Sequence, residues 1–264
     1  MKELIRRTAT GMILVVLFAG SILLGPVPFL IMILALYLLG TAELFKLFSK
    51  EKLRPCGLHA ASGAAVIIII FAGLHGNINP LWLVVPALLW IGGIFIQGSE
   101  FAASLVLFWF SIPLASFIAL GWVLDGATYR PLIPVSVIAL VWINDIFAYL
   151  TGSLAGKHPM TPRLSPGKTW EGFAGGVLFT LLAGWILYWF TGTFSAAAWI
   201  ISGGVISAFA VLGDLFESGL KRRYKVKDTG NILPGHGGIL DRFDSLLFVA
   251  PVLLVVLIML NLLL

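Results

Sequence analysis

Asp241-Arg242-Phe243-Asp244-Ser245-Leu246-Leu247-Phe248-Val249-Ala250-Pro251-Val252-Leu253-Leu254-Val255-Val256-Leu257-Ile258-Met259-Leu260 sets two acids and an arginine against the start of a long apolar run. A helix needs about 20 predominantly apolar residues to cross about 30 Å of hydrocarbon. Residues 242–263 meet that length. The same reading carried back along the chain finds further candidate spans at roughly 8–24, 28–48, 59–75, 80–97, 101–122, 133–151, 171–191 and 196–218. The expected fold is therefore all-α: a polytopic integral membrane protein of about nine transmembrane helices.

Composition points the same way. Of 264 residues, 59% are hydrophobic and only 11% are charged, and the mean hydropathy is +1.04. A soluble domain is nearer half apolar and a quarter charged. The excess is too large to hide inside one globule of this length, so it must face lipid. The chain is basic, at +5. In a membrane protein that charge reads as Lys- and Arg-rich cytoplasmic loops rather than nucleic-acid binding, and it also suits an anionic lipid surface. Cys56 is the one cysteine, which excludes an intrachain disulfide and a Cys-based zinc site. Lys2, Arg6 and Arg7 before the first apolar run look like the start of a signal peptide. No convincing cleavage site follows, so the run reads as a retained span.

Charge also tests orientation. With the N-terminus in the cytoplasm, Lys46, Lys50, Lys52 and Arg54 fall inside. So do Lys157, Arg163 and Lys168, and then Lys221, Arg222, Arg223, Lys225, Lys227 and Arg242, leaving Arg130 outside. One missed span would scatter this pattern, so nine spans and an N-inside, C-outside topology support each other. Asp145, Glu171, Asp214, Glu217, Asp241 and Asp244 lie at the cytoplasmic ends of spans, as does Glu43, which snorkelling alone explains readily. Residues 1–132 then read as a membrane scaffold. Residues 133–264 read as a catalytic region with cytoplasmic loops 152–170 and 219–241.

The chemistry concentrates in Ser218-Gly219-Leu220-Lys221-Arg222-Arg223-Tyr224-Lys225-Val226-Lys227-Asp228-Thr229-Gly230-Asn231-Ile232-Leu233-Pro234-Gly235-His236-Gly237-Gly238-Ile239-Leu240-Asp241-Arg242-Phe243-Asp244. Asp241 and Asp244 are three apart, so a helix puts them on one face. Asp214, at the end of the preceding span, supplies a third carboxylate. Oxygen-only ligands favour Mg²⁺, as one cation or a pair, bound through carboxylates and substrate phosphates. A capping Asp at the start of the last span accounts for one of the three acids but not for all of them. Lys221, Arg222 and Lys227 suit phosphate, beyond their share of membrane anchoring. The glycines around His236 point to backbone approaching a ligand or a helix end, and His236 can donate a hydrogen bond to phosphate. The second segment is Ser165-Pro166-Gly167-Lys168-Thr169-Trp170-Glu171-Gly172. It is no P-loop, because Pro162 stands where the first Gly is required and no strand precedes it. Ser165, Lys168 and Thr169 still precede a helix N-terminus, where anions bind well. The competing reading is simple helix capping.

These two segments resemble the CDP-diacylglycerol synthase (phosphatidate cytidylyltransferase) family. The family signature S-x-L-K-R-x4-K-D-x-G-x2-L-P-x-H-G-G-x-x-D-R-x-D matches from Ser218 to Asp244. Ser165 to Gly172 resembles a second family motif, as does Asp145 with Ala148, Tyr149 and Gly152. The resemblance is strong over roughly 140–245; the earlier spans match in hydropathy only. It implies CMP transfer from CTP to phosphatidate, releasing pyrophosphate, in phospholipid biosynthesis. It implies Mg²⁺ held by Asp214, Asp241 and Asp244, and Lys221 in catalysis. Asp145, Ser165, Lys168, Thr169, Arg222, Lys227, His236 and Arg242 would serve the substrates. It also implies a homodimer, with contacts in the first 132 residues, and membrane lipids as further partners. A bacterial inner membrane suits the compact chain. A CDP-alcohol phosphotransferase is the wrong pattern, since Asp125-Gly126 continues as Ala127-Thr128-Tyr129-Arg130. A cytidylyltransferase for another lipid phosphate, such as an isoprenoid ether lipid, would share the signature. A transporter would carry its charges near the midplane rather than at one face.

Overall fold

The computed structural model describes residues 2–49, 57–76, 78–97, 100–162, 164–232 and 237–263. Cys56, Arg163 and His236, together with Lys50, Lys52 and Arg54, lie outside the described residues. The apolar runs fold as helices because lipid offers no partner for backbone N–H and C=O groups, and a helix satisfies them internally. The helices are α1 (Lys2–Leu24), α2 (Pro26–Ser49), α3 (Gly57–His75), α4 (Val84–Gln97), α5 (Glu100–Ser104), α6 (Ile112–Ala119), α7 (Leu132–Ala155), α8 (Trp170–Thr191), α9 (Ala196–Arg223) and α10 (Leu240–Leu263). A π-helical segment, Leu105–Ser111, joins α5 to α6, and a 3-10 turn, Leu120–Trp122, extends α6. Residues 100–122 thus form one continuous unit. Ser111 Oγ donates to Val106 O at 2.7 Å within the wide turn, and Pro113, which has no N–H to give, follows it.

Among the described residues, seven helical units are long and apolar enough to cross a membrane; Thr10–Leu24 and Leu81–Ile96 are shorter apolar helices. Successive units alternate in direction. Phe71 and His75, late in α3, pack on Trp122. Tyr129 reaches back to Ile22 O at the end of α1, at 3.0 Å, and Asn261, late in α10, donates to Leu124 O at 2.6 Å. These residues mark one end of the bundle. Asp125 caps the connecting turn there, and the N–H groups of Thr128 and Ala127 hold its carboxyl down at about 2. At the opposite end, Arg223 lies over the Phe101 ring at 4.5 Å, and Phe48 packs against Phe101 and Tyr224.

Close helix contacts position the second half. α8 lies between α7 and α9, and α10 packs on α9 and α6. Gly172, Gly176, Thr180 and Gly184 recur every four residues along α8, and each is buried. A Cβ on Gly172 would stand 2.7 Å from Ala148 O, and one on Gly184 2.6 Å from Trp199 O. Small residues let backbones approach in this way inside lipid.

Two boundaries differ from the sequence reading. α9 continues to Arg223, so Lys221, Arg222 and Arg223 sit on its last turn rather than in a loop. α7 runs to Ala155, and the connection beyond it forms an antiparallel hairpin of β1 (Pro159–Thr161) and β2 (Ser165–Thr169). Both differences arise where polar residues continue a helix or pair as strands at the bundle's end, beyond the reach of hydropathy.

Candidate active site

At the end of the bundle that carries the hairpin, α7, β2, α9 and α10 border an open cavity of about 490 Å³. Asp145, Lys168, Asp214, Asp241, Arg242 and Asp244 line it, with Trp142, Ile146 and Ser218. A second cavity, of about 240 Å³, adjoins it through shared residues Asp145, Lys168 and Asp214. Its remaining wall includes Asn144, Tyr149, Met160, Thr169 and Phe173. One cavity is thus lined mostly by charge, the other mostly by apolar and aromatic groups.

Lys168 reaches from β2 to Asp214 Oδ2 on α9. The other oxygen of Asp214 accepts from Ser245 Oγ of α10 at 2.8 Å. Gly213 makes this pairing sterically feasible: a Cβ there would lie 2.4 Å from Asp244 O. Asp244 therefore comes against the carboxyl groups of Asp214 and Glu217. Glu217 is buried and pairs with Lys221 at 2.9 Å. Lys221 also pairs with Asp241 Oδ1 at 2.9 Å. Asp241 Oδ2 accepts from Thr229 N at 3.0 Å, Thr229 Oγ1 at 3.0 Å and Gly238 N at 2.8 Å. One chain of polar contacts therefore runs from Lys168 through Asp214, Asp244, Glu217 and Lys221 to Asp241.

The structure brings together most of the residues that the sequence singles out. Of the three clustered cations, Lys221 turns inward, behind the carboxylates; Arg222 is exposed, and Arg223 covers Phe101. Lys227 is exposed, and neither it, Arg222 nor Ser165 lines the two cavities. Thr169 is the N-cap of α8, accepting from Gly172 N at 3.1 Å, and it also lines the smaller cavity. Glu171 accepts the N–H groups of Lys157 and His158 at 3.1 and 3.2 Å, fixing the hairpin to α8. Three residues of this network were not among the site candidates read from the sequence. Glu217 is four residues before Lys221 and Ser245 four after Asp241, so helical spacing offered a signal for both. Glu43, assigned above to snorkelling, is fully buried against the signature segment. Nothing local marks it.

The donor set suits a hard cation. Asp145, Asp214, Glu217, Asp241 and Asp244 face Lys168, Lys221 and Arg242, so acids outnumber bases. Among the described residues, no group donates a hydrogen bond to the buried Glu217 Oε1. Burying carboxylates together is costly unless positive charge compensates them. Among the described residues, no three His, Cys, Asp or Glu side chains converge at ligand spacing. The lysines hold Asp214 and Asp241 instead.

Comparison with known proteins adds a lineage to this geometry. The profile described as the cytidylyltransferase family matches residues 5–260. A phosphatidate cytidylyltransferase of Staphylococcus haemolyticus (strain JCSC1435) is 34% identical over 260 residues, covering 96% of this chain and 98% of the relative. One of Staphylococcus aureus (strain COL) is 50% identical over 121 residues, 45% of this chain and 46% of that relative. That matched stretch spans about half of the S. aureus protein's length. The same holds for the protein of the same name in Staphylococcus saprophyticus, 50% identical over 121 residues.

Proposed function

Because the chain belongs to the cytidylyltransferase family, we propose that it transfers CMP from CTP to phosphatidate, forming CDP-diacylglycerol and pyrophosphate. The observation that carries this reading is the larger cavity, where Asp145, Lys168, Asp214, Asp241, Arg242 and Asp244 meet at one end of a membrane-spanning bundle. A lipid phosphate stays at the interface and CTP arrives from water, so a polar cavity at helix ends serves both.

In the reaction, an oxygen of the lipid phosphate attacks the α-phosphorus of CTP, and the bond to the β-phosphate bridging oxygen breaks. The attacking phosphate is already ionised near neutral pH, so no strong general base is demanded. Lys168 and Arg242 neutralise phosphate oxygens and align the two substrates. Lys221 holds Glu217 and Asp241 in place from behind. Asp214, Asp244 and Asp241 would hold Mg²⁺ in exchange for the lysine contacts that Asp214 and Asp241 now make, and the ion would neutralise developing charge on the phosphates. Thr169 and the hairpin shape the smaller cavity. Arg222, Lys227 and Ser165, outside the two cavities, would meet incoming phosphate, and His236 would donate a hydrogen bond to it.

The reading extends to the setting: a bacterial inner membrane, the site facing the cytoplasm, and a homodimer. Purified protein incubated with labelled CTP, phosphatidate and Mg²⁺ tests it. Label should enter the lipid fraction, and both EDTA and Asp244→Asn should abolish it, the variant by a factor of about a hundred or more. Folded wild-type protein that labels no lipid from phosphatidate would overturn the assignment.

A further inference from the structure

We propose that Glu43, on α2, is a positioning residue for this reaction: it sets the first turn of α10, and through it Asp241 and Asp244. The proposal rests on the reading above for its activity measurement and on geometry for the rest. Glu43 is fully buried and lies far in sequence from the signature segment. Its Oε1 accepts Ile239 N at 3.0 Å, and its Oε2 accepts Leu240 N at 3.2 Å. These are N–H groups at the start of α10, which lack partners within the helix. A carboxylate is well suited there, since it meets both the free donors and the positive end of the helix dipole. The cap comes from another helix, so it fixes where α10 begins relative to α2 as well as satisfying the backbone.

The signature segment is shaped to admit this carboxylate. A Cβ on Gly230 would fall 2.2 Å from Glu43 Oε1, and one on Gly238 2.6 Å from Glu43 Oε2. Gly237 adopts φ +82°, a conformation that side-chain-bearing residues rarely take. Thr229 lies between the two acids, its hydroxyl 3.0 Å from Asp241 Oδ2 and 3.4 Å from Glu43 Oε2. It has one proton to give, and the shorter contact assigns that proton to Asp241. Glu43 and Asp241 therefore clamp the same turn from α2 and from α10. If Glu43 is neutralised, an amide N–H₂ competes with the two backbone donors, and the turn carrying Asp241 loosens.

The test uses the full chain in detergent, with Glu43→Gln, Thr229→Val and the double variant. Glu43→Gln should lower kcat at least about tenfold while KM for CTP and phosphatidate stays within about threefold. The double variant should lose no more than the worse single, as expected of residues acting through one turn. Amide exchange at Ile239 and Leu240 should speed up in Glu43→Gln, with the far end of α10 unchanged. A kcat within about threefold of wild type, or unchanged exchange at those amides, overturns the proposal. If Glu43→Gln fails to fold, Gly230→Ala crowds the same carboxylate without changing its charge, and wild-type kcat there also overturns it. Wild-type protein that transfers no CMP would sink the reaction assignment instead. The anchor is then decided by exchange alone: faster in Glu43→Gln sustains it, unchanged overturns it.

Discussion

Lys221 carries more of the site than its place in a basic cluster implies. Its ammonium group is the shared partner of Glu217 and Asp241, and Glu217 is 1% exposed. Removing one member of such a buried set strands the others and costs about 3–5 kcal/mol. Lys221→Met should therefore lower the thermal unfolding midpoint in detergent. Adding Glu217→Gln should restore part of that loss, because the stranded charge goes with it. Equal destabilisation in the single and double variants would show that the pair is not coupled. Arg222, one residue on, is exposed; Arg222→Ala should leave the midpoint unchanged.

At the scale of elements, the site depends on how closely α9 and α10 approach. Gly213 lies against the backbone of Asp244 and Ser245, so the chain has no room for a side chain there. Gly213→Ala must push α10 outward and separate Asp214 from Asp244. Misplacing reacting groups by about 1 Å can cost about a hundredfold in rate. The variant should fold, keep its helix content by circular dichroism, and lose CMP transfer about tenfold to a hundredfold. Wild-type turnover would mean that this crossing does not set the distance. The α7–α8 crossing at Gly172 and Gly176 has the same logic, and it delivers Asn144, Asp145 and Tyr149 from one side and Lys168 and Thr169 from the other.

Over the whole molecule, the helices alternate between two ends, and the charge divides with them. Among the described residues, Arg130 stands at the far end, while Lys46, Lys157, Lys168, Lys221, Arg222, Arg223, Lys225, Lys227 and Arg242 stand at the site end. Positive charge retained on the cytoplasmic side orients such a bundle. With Cys56 replaced by Ser, a cysteine at Lys227 should react with an impermeant thiol reagent only in inverted vesicles. One at Asp125 should react only in right-side-out cells. Labelling of both from the same side would overturn the orientation.

Much of this was legible in the residues alone. Hydropathy is a local property, so span positions and the all-helical class follow from composition over about 20 residues. Helical spacing is local too, and it placed Asp241 with Asp244 on one face. The signature segment marked Asp241, Arg242 and Asp244, which line the larger cavity. What only the tertiary structure decided is which groups meet. Lys168 and Asp214, 46 residues apart, become partners because glycines let α7, α8, α9 and α10 close together. Glu43, 196 residues before Ile239, becomes the cap of α10 because α2 packs where that helix begins. Lys221 rather than Arg222 or Arg223 faces inward because α9 continues past its apolar stretch and its final turn fixes the angle. Contacts between distant segments depend on how whole helices pack, and no window of sequence contains that information.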